Sequence, residues 1–205
     1  MKILTLLSQK GGSGKTTLAV HLAVAAEAEQ ESVVIIDTDP QASATAWASL
    51  RANRTPEVTT VTPSEIGRVL PVAQEAGKTL AVIDTAPHAS VGATKAASLA
   101  DFILIPCRPT AFDLAAIQAV VDIVQATQKP AAFVLNACPA RAVETREARE
   151  TLLSYGFPVA PMEIGERRSY ARAIASGKAV TEFDAIGKSS EEIKYLWQWI
   201  REKMA

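Results

Sequence analysis

The sequence predicts a three-layer α/β protein with a mostly parallel, twisted sheet of about seven or eight strands and helices on both faces. Two observations carry that prediction. Short continuous apolar runs, Val33 to Ile36, Leu80 to Ile83, Phe102 to Ile105 and Ala131 to Leu135, lack the in/out alternation of half-exposed strands, so both faces of each are expected to be buried. A further run, Ile3 to Leu7, leads into the glycine-rich segment Gln9 to Thr17 and then the alanine-rich stretch Leu18 to Ala28, which gives strand, loop and helix in immediate succession.

Helical stretches separate the apolar runs, as parallel strands require. They are expected at Gln41 to Asn53, Ser64 to Ala76 with a break or kink at Pro71, Val91 to Ala100, Phe112 to Thr127, Val143 to Tyr155 and Ser190 to Met204. At 205 residues and 48% hydrophobic content the chain can bury a substantial core, and it contains no linker, repeat or low-complexity tract. A single domain over residues 1–205 is the expected organisation. Cys107 and Cys138 sit in apolar context and are expected to be reduced core thiols. The opening apolar run ends at Ser8 without a small-residue cleavage site, and no run approaches the ~18 residues needed to span a bilayer, so a cytoplasmic protein is expected.

Gln9-Lys10-Gly11-Gly12-Ser13-Gly14-Lys15-Thr16-Thr17 is the segment with chemistry in it. Gly11, Gly12 and Gly14 let backbone N–H groups approach a triphosphate without a Cβ in the way, and the helix that follows aims its positive end at the same point. Lys15 is placed to reach the β and γ phosphates, the Thr16 hydroxyl to ligate Mg²⁺, and Thr17 to donate to the α phosphate. In an open parallel sheet ligands bind beyond the carboxyl ends of the strands. Two of those ends carry carboxylates, in Asp37-Thr38-Asp39-Pro40 and in Asp84-Thr85-Ala86-Pro87.

The loop departs from the usual G-x-x-x-x-G-K-[ST] pattern, because Gln9 replaces the first glycine and Lys10 follows it. Lys10 to Thr17 resembles the deviant Walker A motif of the ParA/MinD family of P-loop ATPases. The resemblance extends through Pro106-Cys107-Arg108-Pro109 and Val134-Leu135-Asn136 to the segment Gly165 to Phe183. It implies ATP and ADP as ligands with Mg²⁺, and hydrolysis of ATP to ADP and phosphate with weak intrinsic activity. Lys10 would cross a dimer interface to the partner subunit's nucleotide, so Lys10, Lys15 and Asp39 form the implied catalytic set. Asp39 would position the attacking water, Asp37 would support the metal shell, and Asp84 would hold Mg²⁺, through a water, alongside Thr16. Adenine contacts carry over to Asn136 and Pro161. Family members often have two prolines after the second strand-end aspartate, whereas Ala86 precedes Pro87 here; a subtle change in switch II with magnesium binding retained is expected. His88 is expected to be a solvated loop histidine and His21 a packing residue.

With the phosphate loop so close to Met1, the chain is most similar to the short, plasmid-type ParA proteins that have no N-terminal helix-turn-helix and rely on a small ParB-like centromere-binding partner. That similarity implies an ATP-dependent homodimer that binds non-specific DNA, associates with the nucleoid and is released when the partner stimulates hydrolysis. Overall charge does not favour nucleic acid, with 21 Lys and Arg against 22 Asp and Glu, so any DNA contact must be local. The candidates are Arg167, Arg168, Arg172 and Lys178, where Glu166 is the only acid nearby in sequence, with Arg141 added. Arg146 and Arg149 interleave with Glu144, Glu147 and Glu150, as on a solvated helix face.

The rival readings are a MinD-like membrane or cargo-positioning ATPase and a metabolic enzyme on the same scaffold, such as a small-molecule ligase or an iron–sulfur reductase. Ile193, Leu196, Trp197, Ile200 and Met204 form an apolar stripe, but Lys194, Arg201 and Lys203 are balanced by Glu191, Glu192 and Glu202, so the last helix is expected to pack on the sheet and not on a membrane. A reductase would need cysteines soon after Asp84, and none is there.

Overall fold

The computed structural model describes residues 1–87 and 90–205. Chain order runs β1 (Lys2–Leu6), α1 (Lys15–Ala28), β2 (Val33–Asp37), α2 (Ser43–Leu50), β3 (Glu57–Thr60), α3 (Ile66–Glu75), β4 (Leu80–Asp84), α4 (Ser90–Leu99), β5 (Phe102–Cys107), α5 (Ala111–Ala115), α6 (Ile117–Thr127), β6 (Ala131–Leu135), α7 (Val143–Leu153), α8 (Arg168–Ala175), α9 (Val180–Phe183) and α10 (Lys188–Lys203). The strands form one sheet in the order β3-β2-β4-β1-β5-β6, and every pairing is parallel. Six strands among the described residues replace the expected seven or eight.

The missing strand has a physical cause. Residues 158–165 run beside β6 and form single bridges, Phe133 with Val159 and Cys138 with Gly165, but no continuous ladder. Pro158 and Pro161 each lack an N–H, so although the Pro158 carbonyl accepts from the Phe133 N–H at 2.9 Å, the segment is short of the donors that a longer ladder uses. β3 is an added strand that the apolar-run criterion missed: Glu57-Val58-Thr59-Thr60 lies at the sheet edge and none of its residues is fully buried, so no apolar run was there to read. The helix expected at Phe112 to Thr127 divides at Ala116 into α5 and α6, and Pro71 is accommodated inside α3.

Alternate residues of each strand serve opposite layers. Leu4, Leu6, Val33, Ile35, Leu80, Val82, Leu104 and Val134 pack with α1, α2, α8, α9 and α10, while Val34, Ile36, Ala81, Ile83, Ile103, Ile105 and Phe133 pack against α3, α4, α6 and α7. α1 is buried almost all round from Leu18 to Ala26, and its alanines permit the close approach of sheet and helices. The apolar stripe of α10 lies in the core, as expected, and Trp199 meets Phe102 edge-on at 6.1 Å. Tyr195 remains 62% exposed. Both cysteines are buried free thiols pushed up to about 12, chiefly by burial. No helix among the described residues is long and apolar enough to cross a membrane.

His21 packs in α1 at 0% exposure, with its ring 5.2 Å from Tyr170 and its Nδ1 accepting from the Val180 N–H at 3.2 Å. Burial pushes its pKa down from 6.5 to about 3, so it is neutral in the fold and protonates only on unfolding across the acid range. Stability from His21 is therefore present above about pH 6.5 and is lost as pH falls toward 3. Between pH 7 and pH 5 the loss is roughly 2 kcal/mol. Urea unfolding of the wild type and His21→Leu at the two pH values checks this: the variant, whatever its absolute stability, is expected to lose that much less on acidification.

Candidate nucleotide site

Parallel register builds the site. Leu6 of β1 pairs with Asp84 of β4, and Asp84 pairs with Asp37 of β2, so three strands end level and the loop after β1 rises beside two carboxylates. The Thr38 N–H and hydroxyl both donate to the Asp84 carbonyl at 2.9 Å, and the Thr85 hydroxyl donates to the Leu6 carbonyl at 2.7 Å. These bonds hold the strand ends together where the chain leaves the sheet.

In the loop, Gly12 and Gly14 have φ of 77° and 94°, a region that side chains rarely adopt. Gly14 is required twice over, because a Cβ there would lie 2.1 Å from Nδ2 of Asn136. Asn136 follows β6, is buried, and donates through Nδ2 to the Ser13 carbonyl at 2.7 Å. The residue expected at the adenine thus also clamps the phosphate loop from across the sheet. Lys15 opens α1 and is 6% exposed, its ammonium donating to the Lys10 carbonyl at 3.4 Å. Burial lowers its pKa, opposed by the charges of Asp84 and Asp39.

Asp84 is fully buried, and neither carboxylate oxygen completes a hydrogen bond among the described residues. Burial pushes its pKa up to about 7; the nearby Thr16 hydroxyl and Lys15 favour the ionised form, and Asp37 and Asp39 oppose it. Asp37 is different. Its Oδ1 accepts from the Asp39 N–H at 3.0 Å, and its Oδ2 accepts from Ala44 and Thr45 at 3.0 and 3.4 Å. Its oxygens are engaged by backbone, so Asp37 shapes the turn that presents Asp39 and caps α2, and any support it gives a metal shell would be given from that position. Burial raises its pKa while those three N–H groups lower it. Asp39 is partly exposed, and its Oδ1 accepts from the Gln41 N–H at 2.9 Å.

Two adjoining cavities share Gly12, Gly14 and Thr17. One, about 230 Å³, is lined by the loop, Lys15, Thr16, Asp39, Ser43 and Pro87. The other, about 520 Å³, is walled by Arg108, Asn136, Gly165, Glu166, Arg167 and Tyr170. Their sizes and linings match the phosphate and nucleoside ends of one ligand. Pro161 borders neither. The chain returns to the end of β6 beyond it, Ile164 N–H bonding the Leu135 carbonyl at 2.9 Å, and Gly165 to Arg167 then wall the larger cavity. A larger cavity of about 630 Å³ lies at the other end of α1 and includes no loop residue.

The basic candidates only partly converge. Arg167 is not a free cation: it is paired with Glu192 of α10 at 2.6 Å, an acid distant in sequence and so unseen beside Glu166. Glu192 also accepts from the Tyr170 hydroxyl at 2.8 Å, which fixes α8 to α10. Arg168 and Arg172 are exposed on α8, Arg172 lying 5.4 Å from the centroid of the Phe183 ring, and Lys178 is exposed just beyond. Arg141, exposed at φ 59°, is three residues past Cys138, whose carbonyl accepts from the Glu166 N–H. His88 lies outside the described residues.

The CobQ/CobB/MinD/ParA nucleotide binding domain family matches residues 4–180. The chain belongs to that family. Over 198 residues it is 28% identical to the maintenance of carboxysome distribution protein A of Halothiobacillus neapolitanus, covering 92% of this chain and 91% of the relative. It is 29% identical over 189 residues to protein ParA of Rhizobium radiobacter, covering 86% and 84%. Among solved structures, apo McdA of Cyanothece superposes with a TM-score of 0.81 at 16% identity over all of both chains. MinD of Pyrococcus horikoshii complexed with Mg-ADP gives 0.79 at 16% identity, covering 97% and 95%. These structures share the fold.

ParA/MinD membership implies nucleotide and magnesium, and the residues fit both. No group of three or more His, Cys, Asp or Glu among the described residues is arranged to hold a metal alone. Magnesium is commonly bound by one or two protein groups together with phosphates and waters. Thr16 and the unpartnered carboxylate of Asp84 are such groups. In the nucleotide-free protein the burial of that carboxylate outweighs the support of Lys15 and Thr16, so Asp84→Asn is expected to raise stability at pH 8 by roughly 1–3 kcal/mol while abolishing magnesium-dependent ATP affinity. Urea unfolding and calorimetric titration measure the two effects.

Proposed function

We propose that this chain is an ATP-hydrolysing positioning switch of the ParA type, which pairs on ATP, binds non-specific DNA as a dimer and is reset by hydrolysis that a partner stimulates. The observation that supports it best is the 230 Å³ cavity, where Lys15, Thr16 and Asp39 face one space at the positive end of α1. Backbone N–H groups of Gly11 to Thr16 hold the phosphates, Lys15 neutralises charge on them, and Asp39 orients water at the mouth. Magnesium, when bound, supplies further charge neutralisation on the phosphate oxygens. Phosphoryl transfer to water depends mainly on such positioning and neutralisation. Lys10 acts on the nucleotide of the second subunit.

The relatives' names support a positioning role, one set for carboxysome distribution and another for chromosome partitioning. Partition of DNA with a small ParB-like protein and distribution of a protein assembly are both served by the same ATP-dependent grip on DNA. A membrane-cycling role is less well supported, because the α10 apolar stripe is used in the core.

Lys15→Ala is expected to lose ATP binding and hydrolysis together. Asp39→Ala should instead bind ATP, accumulate a persistent dimer and hydrolyse at least ten-fold more slowly. Nucleotide titration, sedimentation and phosphate release separate the outcomes; loss of ATP binding in Asp39→Ala would remove it from the water-positioning role.

With Arg167 neutralised, one subunit offers only a few cations to DNA, and non-specific binding of that size is weak at physiological salt. Two patches on one dimer raise the effective concentration of the second. Gel shifts are expected with ATP and Mg²⁺ but not with ADP, regardless of sequence, and to fade as salt rises. Arg168→Glu with Arg172→Glu should abolish the shift and leave the ATP dimer intact; an unaffected shift places the DNA surface elsewhere.

A further inference from the structure

Phe112, the second residue of α5, is 80% exposed. Single exposed apolar side chains are ordinary, but this one carries a cation. The Lys10 ammonium lies 5.6 Å from its ring centroid, within the ~6 Å range in which an aromatic face attracts a cation. Lys10 also borders a narrow crevice with Asp113. Asp113 is 7% exposed; its Oδ2 accepts from the Thr110 hydroxyl at 2.6 Å, and its Oδ1 has no hydrogen-bond partner among the described residues. Lys10 lines neither cavity of the nucleotide site. Its side chain therefore lies against the ring face on α5, outside both cavities of its own subunit's nucleotide site.

From this geometry we infer that the Phe112 ring forms a resting clasp for Lys10, which must open when two copies of the chain pair on ATP. The inference rests on the pairing role of Lys10 proposed above. Phe112 is a positioning residue: it touches no nucleotide and acts only through the lysine. An exposed cation–π contact shifts an equilibrium by about two- to five-fold, and each dimer opens two, so the clasp weakens pairing by about 5- to 30-fold.

The test uses the full chain with a non-hydrolysable ATP analogue and Mg²⁺, read by sedimentation. Phe112→Leu keeps an apolar side chain but removes the aromatic face, and is expected to tighten the dimer by about 5- to 30-fold. Phe112→Tyr should restore wild-type affinity, and Phe112→Trp should weaken pairing further. A weaker or unchanged dimer in Phe112→Leu overturns the clasp. A second readout does not depend on pairing: in the nucleotide-free protein the Lys10 ε-methylene protons should resonate upfield from ring current and move to the position of an exposed lysine in Phe112→Leu. Absence of that change overturns the clasp, whereas a clear change with no wild-type dimer would instead overturn the pairing role of Lys10.

Discussion

The level ending of β1, β4 and β2 is the constraint on which the rest of the molecule depends. In-register parallel pairing sets Leu6, Asp84 and Asp37 side by side, and Thr38 and Thr85 bond across the gaps. Because side chains alternate along a strand, a one-residue slip would exchange the faces to which Asp84 and its neighbours belong. The arrangement is costly in the nucleotide-free protein. Buried polar groups are nearly always bonded, and a carboxylate left without partners is disfavoured by several kcal/mol unless it takes a proton. The rise of Asp84 to about 7 expresses that strain. A site that stores electrostatic strain until a cationic ligand arrives binds that ligand more tightly than a relaxed one.

The loop is held by the same economy of means. Asn136 reaches from β6 to the Ser13 carbonyl, and Gly14 is small enough to let it pass. Five elements meet there: β1 supplies the loop, α1 its dipole, β6 the clamp, β4 the unpartnered carboxylate and β2 the turn that carries Asp39. Each contributes through backbone position more than through an independent side-chain network, so the loop is preorganised before any ligand enters.

Much of this was legible in the residues, and what was missed shares a reason. Glycines, Lys15 and the two strand-end aspartates have a chemistry that survives without coordinates, because local sequence sets both their type and their spacing. The five buried strands were likewise evident, since burial on both faces leaves a continuous apolar run. β3 was not, because an edge strand of Glu, Val and two Thr has no such run. The backbone bonds of Asp37 were not legible for a related reason: which N–H groups a carboxylate meets is decided by the turn that follows it. Long-range pairing was invisible altogether. The sequence separation of 25 between Arg167 and Glu192 hides a salt bridge that local charge counting could not see. Lys10 and Phe112, far apart in sequence, meet only once β1 and β5 are neighbours.

The helix α2 ties the loop that bears Asp39 to the segment that follows the arginine helix. At its start Asp37 accepts from Ala44 and Thr45; at its end the Trp47 indole donates to the Lys178 carbonyl at 3.3 Å and Arg51 donates to the Gly177 carbonyl at 3.0 Å. Arg51 is also forked onto Glu182 with two bonds of 2.8 Å and lies 4.6 Å from the centroid of the Trp47 ring. The fit leaves no slack, because a Cβ on Gly177 would come within 2.3 Å of the Leu50 carbonyl oxygen. A two-turn helix bonded this firmly at both ends moves as a body. Displacing the Asp39 turn therefore either carries Gly177 and Lys178 along or breaks a bidentate ion pair whose arginine side chain is buried. Arg168 and Arg172 are thus referenced to the nucleotide through α2 on one side, and to the body of the protein through Glu192 of α10 on the other.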